Sequence, residues 1–215
     1  MEKPAAIFDF DGTLANTLEL VARIYNENAA DFGALPVNLS DLPEYRRLGY
    51  KGAMKKAKIR WTVLPRLVLF ISKQMKAHMD EVHPYEGVVD LLKKLKDEGI
   101  MIGVLTSNNA TLVDDFFKSN NFPEFDFVIS EKTMFGKEKA LRKILRKFNL
   151  DPKRTVYVGD EPRDITGSKK AGIRVIGVTW GVGGKEAFES TPPDISVDTA
   201  NQLHDAIYSC IADHS

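Results

Sequence analysis

Cysteine is almost absent: Cys210 is the only one in 215 residues. No intrachain disulfide can form, so the fold must rest on a packed core, which fits a reducing compartment. Long apolar runs are missing as well. The opening stretch MEKPAAIFDFD has only four apolar residues in a row, 5–8, before charge appears, which is not the pattern of a secretory leader. The most apolar stretch elsewhere, LPRLVLFIS (64–72), contains Pro65 and Arg66 and is far too short to span a bilayer. There is no excess of charge of either sign. Thirty basic side chains cancel thirty acidic ones, so no global attraction to nucleic acid is implied. No internal repeat or low-complexity tract is present. Together these absences predict a cytoplasmic globular protein without membrane contact or a nucleic-acid partner. At 43% hydrophobic residues, the chain is long enough for one sizeable core with a small inserted subdomain.

What is present is an alternation. Five short apolar runs read as buried parallel strands: AAIF (5–8), MIGVL (101–105), FDFVIS (125–130), TVYVG (155–159) and RVIGVTW (174–180). Helical patterns separate them. GVVDLLKKLKDEG (87–99) puts Val88, Leu91, Leu92 and Leu95 on one face and stops at Gly99. A second helix opens at 107–111 and runs through LVDDFFKSN. A third spans 139–150, with Leu141, Ile144, Leu145 and Phe148, and a fourth, 165–172, ends at Gly172. Strands alternating with helices predict an α/β fold, a doubly wound, Rossmann-like parallel sheet.

Residues 16–83 break the alternation. They show no strand pattern and read as three helices, starting at LELVARIYNENAADFG, LPEYRRLGYKGAMKKAKI and LPRLVLFISKQMKAHM. In the first, Leu18, Val21, Ala22, Tyr25 and Ala29 form one stripe. The predicted organisation is a core of residues 1–15 and 84–215, with 16–83 inserted as a helical cap over the carboxyl ends of the strands. From Arg46 to Arg66 the cap carries eight basic residues and no acid. Two readings stand: a solvated helical face, or a surface that attracts an anionic substrate, with Arg46, Lys51 and Arg60 as candidate contacts. A nucleic-acid patch would need aromatic interleaving, and the run offers little of it beyond Trp61.

In an open α/β sheet the chemistry sits beyond the carboxyl ends of the strands. Those ends read FDFDGT, TSNN (106–109), EKTMFGK (131–137) and GDEPRD (159–164). Asp9 and Asp11 share a side, because side chains alternate along a strand. Two carboxylates so close need a cation or a shared proton. Asp160, from another strand end, makes a third. Hard oxygen donors with room left for water and phosphate suit Mg²⁺, which would relieve the repulsion and activate phosphorus. Thr106, Ser107 and Asn108 offer hydroxyls and amides at a helix opening, Gly12 lets backbone N–H groups come close, and Lys137 offers a positive charge. Taken singly, DxD is a turn, TSN a helix cap, Lys137 a surface lysine and Asp164 a cap residue. Taken on successive strand ends and in this order, they point to phosphoryl chemistry.

DFDGTL, the apolar strand running into Thr106, Gly136-Lys137 and Gly159-Asp160 with Asp164 resemble the four motifs of the haloacid dehalogenase (HAD) superfamily. The helical insertion after the first motif resembles that family's C1 cap, as in phosphoglycolate phosphatase-like members. The third motif departs from the common pattern, since Glu138 follows Lys137 where many relatives have proline. Lys132 and Lys139 therefore compete for the same role. Ala15-Asn16-Thr17 stands where many relatives have Val-Asp-Ser.

The resemblance implies roles. Asp9 would be the nucleophile and form an aspartyl-phosphate, and Asp11 would be the general acid and base. Asp9, the Asp11 backbone carbonyl and Asp160 would hold Mg²⁺. Thr106 and Lys137, with Gly12, Ser107 and Asn108, would bind phosphoryl oxygens, and Asp164 would orient Lys137 or the water on the metal. Dehalogenases of this superfamily lack the second aspartate, so Asp11 argues for phosphoryl transfer. The implied function is a Mg²⁺-dependent phosphatase of a small phosphorylated metabolite, phosphoglycolate-like or a sugar phosphate. The alternatives are a sugar phosphomutase and a non-enzymatic phospho-ligand or protein-binding module.

Overall fold

The computed structural model describes residues 3–131 and 136–212. The chain opens with β1 (Ala5–Phe8) and leaves the sheet for three helices, α1 (Leu18–Asn28), α2 (Leu42–Lys56) and α3 (Leu64–Ala77). It then alternates through α4 (Val88–Asp97), β2 (Met101–Thr106), α5 (Ala110–Ser119), β3 (Phe127–Ser130), α6 (Lys137–Phe148), β4 (Thr155–Gly159), α7 (Pro162–Ala171) and β5 (Arg174–Val178), ending with β6 (Ile195–Val197) and α8 (Ala200–Ala212). No helix among the described residues is long and apolar enough to cross a membrane.

The sheet is parallel throughout, in the order β3-β2-β1-β4-β5-β6. This is the doubly wound fold that the alternation predicts. Parallel strands are covered on both faces, which requires uninterrupted apolar runs, and all four residues of β1 are buried. The order reverses at β1, which pairs with both β2 and β4. Such a reversal splays the connections apart and opens a crevice at the carboxyl ends of the strands. Ile7 lies opposite Tyr157 and Phe8 opposite Val158, so the residues after β1 and β4 leave the sheet side by side.

One core cluster joins the sheet to two helices: Ile7, Leu105, Tyr157 and Val175 meet Leu141, Ile144 and Leu145 of α6 and Ile165 of α7. Each buried aliphatic side chain is worth about 1.5–3 kcal/mol. Positions 141, 144 and 145 form an i, i+3, i+4 row, so α6 is fastened to the sheet along one stripe and its first residue, Lys137, has a fixed place.

By contact density the chain divides into two units, Met1–Asn16 with Pro84–Ser215, and Thr17–His83. The second unit has its own cluster of Tyr25, Ala29, Phe32, Ala34 and Leu67. The Tyr25 hydroxyl donates to the Leu35 carbonyl at 2.6 Å, and the Arg66 guanidinium lies 5.2 Å from the centre of the Phe32 ring. Of the basic residues between 46 and 66, Arg46 and Lys56 are half-buried and the rest are exposed. Lys56 pairs with Glu44, so an acid lying before the acid-free run neutralises one of them.

Element boundaries differ from the periodicity in informative places. α6 starts at Lys137, not 139, and α7 starts at Pro162, not 165. Lys137 and Asp164 therefore belong to helix first turns. α5 starts at Ala110, because Asn109 caps it by accepting from the amides of Thr111 and Leu112. The sequence reading overlooks β6 and α8, although Leu203, Ala206, Ile207, Cys210 and Ile211 of α8 recur at the helical period. β6 has three residues, and α8 interleaves Asn201, Gln202, His204 and Asp205 with its apolar face.

Candidate active site

Asp9 is the first residue beyond β1 and is buried, and its amide donates to the Val158 carbonyl at 2.9 Å. Both of its carboxylate oxygens have partners. Oδ1 accepts from the Phe10 amide at 2.9 Å, and Oδ2 accepts from Lys137 Nζ at 2.9 Å. Lys137 reaches Asp9 from the start of α6. The same ammonium donates to Asp164 Oδ1 and lies 4.9 Å from the centre of the Tyr157 ring. Burial opposes the lysine's charge, but Asp164 and Asp9 outweigh it and hold its pKa well above the usual value. Lys137 is thus a fixed cation. Of its two competitors, Lys139 is exposed on α6, and Lys132 lies outside the described residues.

Asp164 both caps α7 and pairs with the lysine. Its Oδ2 accepts from the Glu161 amide at 3.0 Å, while the Glu161 side chain reciprocates in a capping box. Burial raises its carboxyl pKa to about 6 although Lys137 pulls it down, and the Asp9 charge adds to the rise.

Asp160, directly beyond β4, has no exposed surface. Thr13 Oγ1 donates to its Oδ1 and the Gly183 amide to its Oδ2, each at 3.3 Å. Burial holds its pKa well above the carboxylate range, and the charges of Asp164, Glu161 and Asp9 push it further up. Asp9, Asp160 and Asp164 each bring a carboxylate oxygen within 4.8 Å of the others. Among the described residues, Lys137 bonds Asp9 and Asp164, while the Asp160 carboxylate is bonded by Thr13 and the Gly183 amide. The donors are all hard oxygens, with no nitrogen or sulfur among them. They fit a divalent ion of the Mg²⁺ type.

Gly12 makes this crowding possible. Its φ is +74°, which L side chains rarely adopt, and a β-carbon there would overlap the Asp160 carboxylate. The turn at Gly12 brings Asp11 and Thr13 to the same site in different ways. Thr13 is buried against Asp160, whereas Asp11 is half-buried and its Oδ2 accepts from Asn108 Nδ2 at 3.4 Å. The third carboxylate of the tight cluster is therefore that of Asp164, and the Asp11 side chain stands apart from it.

Beyond β2, Thr106 is buried and its Oγ1 accepts from the Asn108 amide at 2.9 Å. Asn108 Oδ1 accepts from the Asn109 amide at 2.8 Å, and the Asn108 carbonyl accepts from Ser130 Oγ at 2.6 Å. The amides of 108 and 109 are thus used within the loop and do not open the helix, and Ser107 is exposed. The structure brings together Asp9, Gly12, Lys137, Asp160 and Asp164, with Asp11, Thr106 and Asn108 forming a second polar group.

Sequence reasoning overlooks the stretch after β5. Trp180 Nε1 donates to the Thr13 carbonyl at 3.1 Å, and Gly181 stands so close that a β-carbon would overlap both the Asp160 carboxylate and the Gly12 carbonyl. The available signal was the glycine density of GVTWGVGG (177–184) immediately after a strand end. Arg163 is also overlooked. Its Nη2 donates to Glu161 Oε1 at 2.8 Å, beside Asp164.

With this geometry in hand, comparison with known proteins is specific. Residues 6–178 match the family described as haloacid dehalogenase-like hydrolase. The chain is 28% identical over 204 residues to a phosphoglycolate phosphatase of Synechococcus elongatus, covering 94% of this chain and 96% of that protein. It is 26% identical over 208 residues to pyrophosphatase PpaX of Bacillus mycoides, covering 94% and 96%. A solved structure of a predicted phosphatase from Clostridium acetobutylicum superposes with a TM-score of 0.79 at 22% identity, over 97% of this chain and all of that one, and so shares the fold.

Proposed function

The chain belongs to the haloacid dehalogenase-like hydrolase family, and from that premise we propose that it is a Mg²⁺-dependent phosphatase of a small phosphorylated metabolite, acting through an aspartyl-phosphate on Asp9. The observation that carries this reading is the position of Asp9. It is a buried carboxylate at the sheet's switch point, tied to Lys137 at 2.9 Å and crowded by Asp160 and Asp164. A structural ion pair needs one acid for its lysine, whereas here three carboxylates lie within 4.8 Å of one another. The names of the two sequence relatives support the same reaction class.

Asp9, Asp160 and the Asp11 carbonyl would hold Mg²⁺, which when bound supplies charge neutralisation at the phosphoryl group. Asp9 is held at both carboxylate oxygens, which limits its rotation and points it along one line of attack. As its oxygen bonds to phosphorus, the ester P–O bond breaks and the leaving oxygen takes a proton from the Asp11 carboxyl. Water then gives a proton to the Asp11 carboxylate and attacks the same phosphorus. The products are inorganic phosphate and a regenerated Asp9 carboxylate. Asp11 suits the proton-carrying role because it is half-buried and lies outside the tight acid cluster. Lys137 and Thr106 bind phosphoryl oxygens, and the Asn108 amide group steadies Asp11. Asp164 keeps Lys137 aimed at Asp9.

The test is phosphate release by the purified chain with Mg²⁺, from p-nitrophenyl phosphate and a metabolite panel that includes phosphoglycolate, pyrophosphate and sugar phosphates. Turnover that disappears in Asp9→Asn and in chelator supports the proposal. Full activity in Asp9→Asn, or no turnover above that variant on the whole panel, would overturn it.

A further inference from the structure

We infer that residues 180–183 are a positioning element for the acid cluster, and that they set where the Asp160 carboxylate stands relative to Asp9. The inference rests on the reading above that this cluster takes a divalent cation.

Four contacts carry it. Trp180 Nε1 donates to the Thr13 carbonyl at 3.1 Å. Thr13 Oγ1 in turn donates to Asp160 Oδ1 at 3.3 Å. From the other side the Gly183 amide donates to Asp160 Oδ2 at 3.3 Å. Between them Gly181 closes on the carboxylate and on the Gly12 carbonyl, leaving no room for a β-carbon. The segment thus touches both strand ends that bear the acids, 9–13 after β1 and Asp160 after β4; it bonds Asp160 Oδ2 through the Gly183 amide, and Oδ1 is bonded by Thr13, whose carbonyl Trp180 holds. The Trp180 ring also lies 6.0 Å from the Tyr85 ring, and the Tyr85 amide donates to the Leu14 carbonyl at 3.1 Å. Trp180 is therefore fastened to the chain just beyond the turn it holds.

Crowded like charges push one another apart, so a buried acid needs mechanical restraint to stay in a ligating position. Donors that orient metal-binding side chains from behind typically alter metal affinity by 10–100-fold when lost. A single hydrogen bond is worth about 0.5–1.5 kcal/mol, or about 2- to 12-fold. Trp180→Phe keeps a six-membered aromatic ring and removes the N–H together with the fused pyrrole ring. Gly181→Ala pushes a methyl group into the Asp160 carboxylate.

The experiment is calorimetric titration of the full chain with Mg²⁺, together with urea unfolding of each variant. Gly181→Ala is expected to weaken Mg²⁺ binding at least about tenfold, and Trp180→Phe about 3- to 10-fold. Both should regain turnover at saturating Mg²⁺. Ser190→Ala, at an exposed position outside the segment, should stay within about twofold, below the effect of one hydrogen bond. An unchanged Mg²⁺ affinity in Trp180→Phe would overturn the inference, and this variant decides alone if Gly181→Ala does not fold. If the unmutated chain binds no Mg²⁺, the cation reading itself fails and takes this inference with it.

Discussion

Replacing Lys137 with methionine tests the electrostatics of the site most directly. Methionine keeps an unbranched apolar stem of similar bulk and lacks the ammonium, which is the atom that meets Asp9, Asp164 and the Tyr157 ring. The ammonium sits 2.9 Å from Asp9 and also bonds Asp164, and both acids are buried. At an effective dielectric of about 20, one unit-charge pair at that distance is worth about 6 kcal/mol before desolvation is subtracted. Removing one partner of a buried pair generally costs about 3–5 kcal/mol, because the other charge is left behind. For a domain of this size, that corresponds to a fall in Tm of roughly 6–20 °C. The pH dependence gives the prediction its sign. Lys137 has its folded pKa raised above 10.5, so its contribution is fully present at pH 8 and is lost only in strong base. Asp164 has its folded pKa raised from 3.8 to about 6, so its protonated form favours folding. That contribution is complete below 3.8 and is lost as pH rises through 6. Deleting the lysine removes the group that lowers Asp164, which raises this pKa further. The variant's deficit should therefore be largest at pH 8 and clearly smaller at pH 5. Urea unfolding followed by circular dichroism, with chelator present, measures both values. A deficit below about 1 kcal/mol at pH 8 would place the pair in the range of an exposed salt bridge and refute the reasoning. So would a deficit that does not change with pH.

Two further outcomes follow from the proposed roles. Asp11→Asn should lower kcat by about 10²- to 10⁴-fold. It should lower kcat/KM for alkyl phosphates more than for p-nitrophenyl phosphate, whose leaving oxygen needs no proton, and equal losses would remove Asp11 from the general-acid role. Lys51→Glu with Arg60→Glu, two exposed positions in the basic stretch, should lower kcat/KM at low salt, with the effect fading as ionic strength passes about 0.15 M. A salt-independent result would leave that stretch as a solvated face.

Much of the sheet was legible because parallel strands must be apolar on both faces. AAIF and TVYVG are continuous runs that no surface element would need, and the helices between them repeat at the helical period. The last strand and the last helix were missed. β6 exists because three residues find an open edge on β5, and α8 because its apolar stripe is covered by β4, β5 and β6. β6 is too short to declare itself, whereas the stripe of Leu203, Ala206, Ile207, Cys210 and Ile211 in α8 was legible and overlooked. Helix starts were misplaced for a related reason. Pro162 and Lys137 begin their helices before the apolar periodicity does, since the first turn of a helix can be polar and capped.

The site divides along the same line. FDFDGTL and GDEPRD placed Asp9, Asp11, Asp160 and Asp164 at two strand ends, because the chemistry demands acids within a few residues of a turn. That these acids exist, that they follow strands and that a glycine stands between the first pair and the rest can be read along the chain. How they are shared is a product of the packed fold. It joined Lys137 to Asp9 across 128 residues, put Asp164 rather than the Asp11 side chain into the tight cluster, and brought 180–183 against Asp160. The physical reason is range. Turn chemistry and strand periodicity act over a few residues, whereas burial, charge and steric exclusion act on whatever the sheet order brings together, and that order reverses at β1.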